Sequence, residues 1–223
     1  MGYRREPIEV GEWYHCYNRG IDKRNVFDSE WDCKRFLQTL YLSNGEDTPN
    51  RKNFDHYTHE KIFSVDRGEP IVAIGAYCLM PNHFHLLLQE IVEGGISRFM
   101  HRLGTSYTMY FNEKNQRVGN LFYKPFRSRH VGTDKYFRHI PQYVHLNAAE
   151  IFDRQWKKGS KLTLRVIEDR LKKYPYSSFP DYYGASRVER RILDEDSIKL
   201  LSETIPNASA VIQDAIDYYR TLA

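Results

Sequence analysis

Tyr77-Cys78-Leu79-Met80-Pro81-Asn82-His83-Phe84-His85-Leu86-Leu87-Leu88-Gln89 is the stretch that decides the fold. An apolar run from Ile71 to Met80 meets a Pro-Asn break and resumes from Phe84 to Leu88, which predicts two strands joined by a tight turn. Strand side chains alternate between faces, so His83 and His85 share one face while Phe84 takes the other. Two imidazoles one strand period apart form a bidentate platform for a divalent cation. A further ligand from elsewhere would still leave positions for a substrate oxygen. The plainer alternative is two surface histidines on an edge strand.

Outward from that stretch, 223 residues with 41% hydrophobic and 28% charged composition suffice for one well-packed domain, or one domain with an extension. No apolar run approaches the roughly 20 residues of a membrane helix. The basic start Met1-Gly2-Tyr3-Arg4-Arg5 is not followed by a signal-peptide core, so a cytoplasmic protein is expected. Cys16, Cys33 and Cys78 are scattered and odd in number, which indicates neither a disulfide framework nor a thiolate zinc site; they read as small buried apolar groups. Net charge is +4, but Ser97–Arg138 holds nine Lys/Arg against two acids, a local +7 that leaves −3 for the remainder. A basic segment interleaved with aromatics suits a polyphosphate partner with exposed bases; a solvated basic face over core aromatics is the alternative.

In chain order, Glu12–Asn18 alternates and predicts a strand, and Arg19–Lys23 a loop. A helix follows, capped by Ser29, with Glu30 and Asp32 in its first turn and Phe36, Leu37, Leu40 and Tyr41 at helical spacing. Ser43–His59 is polar and reads as a loop. After Gly94 and Gly95 comes a helix bearing Phe99, Leu103, Tyr107, Tyr110 and Phe111, whose spacing assigns both tyrosines to the core rather than to chemistry. Leu121–Val131 reads as a basic extended segment, placed by Pro125 at an edge or bulge. Thr133 caps a helix expected to reach Asn147 or slightly beyond. In it His139, Tyr143 and Asn147 recur every four residues and fall on one side. A phenol and a carboxamide one turn apart can present a nucleophile and a metal-ligating oxygen to one point; the alternative, commoner for a helix tyrosine, is that Tyr143 is an amphipathic packing residue with its hydroxyl in water. Beyond Trp156 follow a basic linker (Lys157, Lys158, Gly159, Lys161), a short helix near Leu164–Lys173, an aromatic turn at Tyr174–Phe179, and helical patterning over Leu193–Leu222 interrupted at Pro206.

Three motifs in this order carry a family resemblance. They are Trp13-Tyr14-His15-Cys16-Tyr17-Asn18-Arg19-Gly20, with Val26-Phe27 and Phe36-Leu37 behind it; Met80-Pro81-Asn82-His83-Phe84-His85-Leu86-Leu87; and Tyr143-Val144-His145-Leu146-Asn147. The chain resembles the single-tyrosine HUH transposases of bacterial insertion sequences, and within them the REP-associated tyrosine transposases, over roughly residues 10 to 180; Tyr174–Phe179 is similar to an aromatic-Ser-Ser element of that group. The resemblance implies an α+β, ferredoxin-like core with a central antiparallel sheet flanked by helices. A catalytic domain over residues 1–155 would be followed by a helical C-terminal extension over 156–223. It implies that Tyr143 is the nucleophile, that His83, His85 and Asn147 hold Mg²⁺ or Mn²⁺, and that single-stranded DNA hairpins, REP-like elements among them, are the substrates. A nucleoid-associated monomer or homodimer of bacterial cytoplasm would follow. The chain departs from the pattern at Ala148-Ala149-Glu150, where relatives commonly have Pro-Val-Arg, and in the length of the Ser43–His59 loop. Both departures bear on target recognition rather than on chemistry.

The expected reaction is transesterification. Tyr143 attacks a phosphodiester, giving a 5′-phosphotyrosine and a free 3′-hydroxyl, and a DNA 3′-hydroxyl later reverses the step to join strands. A phenol ordinarily ionises near pH 10, so its proton must leave during attack; His139 and His145 are the nearest bases in sequence. Lys124, Arg127, Arg129, Lys135 and Arg138 are the expected contacts to the DNA backbone. Two other readings share the fold: a catalytically silent or domesticated hairpin-binding protein, and a replication-initiation or conjugative HUH nuclease, although this chain contains no P-loop.

Overall fold

The computed structural model describes residues 7–47, 49, 51–156, 162–203, 210, 212 and 213. The basic linker at Lys157–Lys161, and almost all of the helical patterning expected beyond Glu203, lie outside the described residues. Four strands, β1 (Trp13–Arg19), β2 (Val72–Met80), β3 (His83–Glu90) and β4 (Arg127–His130), form one sheet in the order β2-β3-β1-β4 with every neighbouring pair antiparallel. Helix α1 (Glu30–Ser43) joins β1 to β2, and α3 (Gly95–Lys114) joins β3 to β4. The resulting βαββαβ order, with β1 and β3 central, is the ferredoxin-like α+β arrangement expected. The polar segment read as a loop holds a 3-10 turn at Arg51–Phe54 and a short helix, α2 (His59–Ile62). C-terminal to the sheet lie α4 (Asp134–Leu146), α5 (Ala149–Phe152), α6 (Leu164–Lys173), α7 (Phe179–Tyr182) and α8 (Glu195–Ser202).

Two apolar cores follow from strand alternation. Tyr14 and Cys16 of β1 and Phe84, Leu86 and Leu88 of β3 pack with Phe36, Leu37 and Leu40 of α1 and Phe99, Leu103, Tyr107 and Phe111 of α3. Trp13 and Leu87 face the other way, joining Cys78, Ile140 and Val144 of α4, and Ile167, Leu171, Phe179 and Leu201 of the C-terminal helices. The sheet is therefore covered on both sides, and its central strands are correspondingly apolar. All three cysteines are buried, as expected, and none is in a disulfide among the described residues. Gly75 sits at the β2 bulge, where an added Cβ would lie 2.7 Å from Leu201 and 2.9 Å from the Trp13 ring, a close approach only glycine permits.

The starts of α1 and α3 find side-chain partners. Ser29 and Asp32 form a capping box on α1, and Asp32 also accepts the Asp28 backbone N–H at 3.1 Å. Lys114 Nζ at 2.7 Å and the Tyr110 hydroxyl at 2.8 Å then tie α3 to the same carboxylate. Tyr107 is buried and donates to Val26 O, so both tyrosines of this helix serve the core. Burial pushes the Asp32 carboxyl up, but hydrogen bonds from Lys114, Tyr110 and Ser29 outweigh it and hold it below its ordinary value. Glu90 accepts the Ile96 N–H at 2.6 Å, filling one of the donor positions left open at the α3 start.

Replacing Asp32 with alanine strips partners from two backbone N–H groups, a tyrosine and a lysine, and is expected to cost about 2–4 kcal/mol in urea unfolding. Because the folded carboxyl is depressed, its contribution is present above the unfolded value of 3.8 and lost as pH falls through the folded one. The stability gap between wild type and Asp32→Asn should accordingly narrow in titrations taken below that pH.

Candidate functional site

Directly opposed residues of an antiparallel ladder share a face, so the pairing register dictates what surrounds the histidine pair. His83 lies opposite Arg19 and Met80, and His85 opposite Tyr17 and Cys78. Across β1, Tyr17 opposes Arg127 and His15 opposes Arg129. One face of the sheet thus carries His83, His85, His15, Tyr17 and three arginines. Helix α4 packs over β2 and β3 on this side. It brings the Tyr143 ring to 5.4 Å from His15 and 6.0 Å from His85, edge-to-face in both cases. Tyr143 keeps 39% of its surface exposed while the flanking Gln142 and Val144 are buried.

Hydrogen bonds orient both rings of the pair. Asn82 Nδ2 donates to Lys23 O at 3.1 Å, which fixes the amide so that its Oδ1 accepts from His83 Nδ1–H at 2.6 Å. The His83 lone pair is then on Nε2. His85 Nδ1 lies 2.8 Å from His15 Nε2, and the two rings stack at 5.1 Å. Burial, reinforced by the charge of Arg129, pushes His15 down to about 4, so it is neutral near pH 7 and able to accept. Accepting from His85 Nδ1–H places the second lone pair on Nε2 as well. Tyr17 stacks on His15 at 5.0 Å and on His85 at 5.7 Å.

Asn147 occupies the C-cap of α4 and is buried. Its Nδ2 donates to Tyr143 O at 2.8 Å and Val144 O at 3.4 Å, and its Oδ1 has no hydrogen-bond partner among the described residues. Imidazole nitrogen and carboxamide oxygen are donor types that Mg²⁺ or Mn²⁺ accepts, so His83, His85 and Asn147 fit such an ion in donor chemistry. No trio of His, Cys, Asp or Glu among the described residues is arranged to hold a metal.

His145 does not serve as the base expected of it. It is buried beneath α4, 2.8 Å from Ser178 Oγ, and burial with the nearby Arg187 charge pushes it down to about 3. His139 is exposed on α4. Of the expected DNA contacts, Lys124, Arg127, Arg129 and Arg138 are exposed; Arg127 and Arg129 stand on the site's own face, the latter 4.8 Å over the Tyr136 ring. Lys135 lies in the first turn of α4, and its side chain is outside what is described. The sequence reading missed His15, Tyr17 and Arg19 as members of the site. Their alternation in Trp13–Arg19 was the available signal.

The aromatic-Ser-Ser element extends the β2 edge. Leu79 N donates to Tyr176 O at 2.9 Å, Ser178 N to Tyr77 O at 2.9 Å, and Tyr77 N to Ser178 Oγ at 2.9 Å. One serine hydroxyl therefore holds both the edge strand and, through His145, the Tyr143 helix. Ser178→Ala leaves a buried N–H and a buried imidazole short of a partner and should cost about 1–3 kcal/mol. Hydrogen exchange is expected to rise in α4 while α1 and α3 stay protected.

Residues 52–147 match the sequence model of a family described as "Transposase IS200 like". No curated protein matches the chain significantly. A solved structure described as "Structure of the REP associates tyrosine transposase bound to a REP hairpin" is 16% identical with a TM-score of 0.48, covering 85% of this chain and 90% of that one. The matched segment contains His83, His85, Tyr143 and Asn147 together, and over its candidate site the chain is thus similar to the IS200-like transposases.

Proposed function

We propose that this chain cleaves and rejoins single-stranded DNA, with Tyr143 as the nucleophile and with hairpins as its substrates. The observation that carries the reading is the placement of the half-exposed Tyr143 ring against His15 and His85, over the face from which the histidine pair projects. The family match supports the reaction class, and the motif order from Trp13 to Asn147 supports hairpin substrates. Residues 1–155 form the catalytic unit in this reading, and residues 156–223 a C-terminal extension, in which Ser178 meets His145 of α4.

Tyr143 Oη attacks phosphorus, the bond to the 3′-oxygen breaks, and the strand leaves as a 3′-hydroxyl while its 5′-phosphate stays on the tyrosine. One phosphoester replaces another, so rejoining needs no ATP. His83 and His85 through Nε2, and Asn147 through Oδ1, would hold Mg²⁺ or Mn²⁺. The bound ion supplies charge stabilisation at a non-bridging phosphate oxygen. His15 keeps His85 in the ligating tautomer by accepting from Nδ1–H, and Asn82 does the same for His83. Arg127 and Arg129 provide positive charge on the face where the phosphates lie.

Labelled hairpin oligonucleotides incubated with Mg²⁺ should give a covalent adduct mapping to Tyr143 by peptide mass. Tyr143→Phe is expected to abolish the adduct while hairpin affinity stays within about threefold, a change under 1 kcal/mol. Cleavage persisting in that variant would sink the nucleophile assignment. Hairpin binding without any adduct in the wild type would point instead to a catalytically silent binding protein.

Metal binding is separable from activity. Mn²⁺ titration followed by electron paramagnetic resonance should show one site, lost in the His83→Ala/His85→Ala double variant. His15→Phe preserves the stacked ring but removes the acceptor, and about a 10- to 100-fold weaker Mn²⁺ affinity is expected. An unchanged affinity would reduce His15 to packing.

A further inference from the structure

Arg19 is the last residue of β1 and lies directly opposite His83 in the ladder. Its side chain therefore leaves the sheet on the face of the histidine pair, and directly opposed Cβ atoms stand roughly 5 Å apart. Both side chains line the open depression at the β2–β3 turn, where Arg19 is exposed. The backbone beneath it is tied on both sides: Arg19 O accepts from Tyr123 N at 3.1 Å, and Gly20 N donates to Asn82 O at 2.9 Å. Asn82 is also the residue that orients His83. Resting on the DNA-cleavage reading above, we propose that Arg19 is a catalytic residue, whose guanidinium donates to a non-bridging oxygen of the scissile phosphate.

Placement and availability carry the argument. Arg67, Arg102, Arg187 and Arg190 spend their guanidinium groups on protein oxygens: Tyr41 O, Gly45 O, the Asp181 carboxylate and the Glu195 carboxylate. No hydrogen bond or ion pair among the described residues claims the guanidinium of Arg19, so its planar fork of five N–H donors is open to a ligand. Arg127 and Arg129 stand on β4, one strand farther from His83, so Arg19 is the cation of the sheet nearest the pair. As Tyr143 Oη bonds to phosphorus and the bond to the 3′-oxygen breaks, negative charge grows on the non-bridging oxygens. The phenol proton passes to solvent, and the 3′-oxygen takes a proton from solvent. The guanidinium keeps its own protons throughout, so it acts by charge and hydrogen bonding from a fixed backbone and not as an acid.

Single-turnover cleavage of a labelled hairpin, with the full-length chain in saturating excess and Mg²⁺ present, reads the chemical step. Arg19→Ala is expected to slow it about 100- to 1,000-fold, the usual loss on removing one preorganised donor, while hairpin affinity stays within about threefold and the thermal midpoint is unchanged. Arg19→Lys keeps the charge but loses the fork and should fall between the two. The discriminating substrate carries a methylphosphonate at the scissile position, where an uncharged methyl replaces one non-bridging oxygen. On one of its two stereoisomers the oxygen that needs the guanidinium is gone, so the wild-type and Arg19→Ala rates should converge to within about tenfold. A wild-type rate for Arg19→Ala on the phosphodiester overturns the proposal, as does weakened binding with an unchanged single-turnover rate. So does a lack of convergence on both isomers, whether the deficit persists or neither chain cleaves them. Each of these results leaves the cleavage reading standing as long as the wild type forms its adduct on the phosphodiester. A wild type that forms no adduct overturns both.

Discussion

The register of β1 between β3 and β4 is the constraint on which the rest of the molecule depends. A strand's side chains have a period of two, so a slip of one residue would send His15, Tyr17 and Arg19 to the opposite face and Tyr14 and Cys16 into their place. The apolar members are what fix it. Tyr14 and Cys16 are buried among α1 and α3, and the free energy of exposing them far exceeds anything the polar face could return. The polar row is thus held in place by a core it does not touch.

Helix α4 answers to a different set of forces. Ile140 and Val144 seat it on Trp13 and Leu87, but apolar contact alone leaves a helix free to slide along a sheet. Directional bonds remove that freedom: Thr133 accepts the Tyr136 N–H at its start, and His145 meets Ser178 near its end. Pro141 lies within it and cannot donate to Phe137 O, so the helix gives up one internal bond midway between those two anchors. Next to the anchor, Arg187 pairs with Asp181 at 2.6 Å and donates to the Tyr77 hydroxyl at 2.9 Å, so the segment that presents Ser178 is itself held by charge. Removing either member of such a buried pair leaves the other uncompensated.

How much of this could be read in advance depended on distance along the chain. The hairpin around Pro81-Asn82, the Ser29 and Thr133 caps and the aromatic core of α3 are local matters, and each stands where periodicity and capping chemistry put it. His83, His85, Tyr143 and Asn147 were named from spacing and motif order, and sheet pairing with the packing of α4 sets His83, His85 and the Tyr143 ring on one face. His15 was not, because its role comes from pairing across 70 residues, and nothing in Trp13–Arg19 announces which strand lies beside it. The expectation for His145 failed for a related reason. Its neighbour in sequence is Tyr143, but helical geometry turns residues two apart to opposite sides, and a serine 33 positions away claims it.

The two margins of the sheet are finished in unlike ways. On the β2 side, Tyr176 to Ser178 take up the edge hydrogen bonds at Tyr77 and Leu79. On the other side, β4 ends the sheet after four residues, two of them exposed arginines. Strands of two molecules that met there would set like charges directly against one another along a ladder too short to compensate. The exposed arginines of this border are therefore also a guard against fibrillar stacking, and neutralising Arg127 and Arg129 would leave that edge open to pairing between molecules.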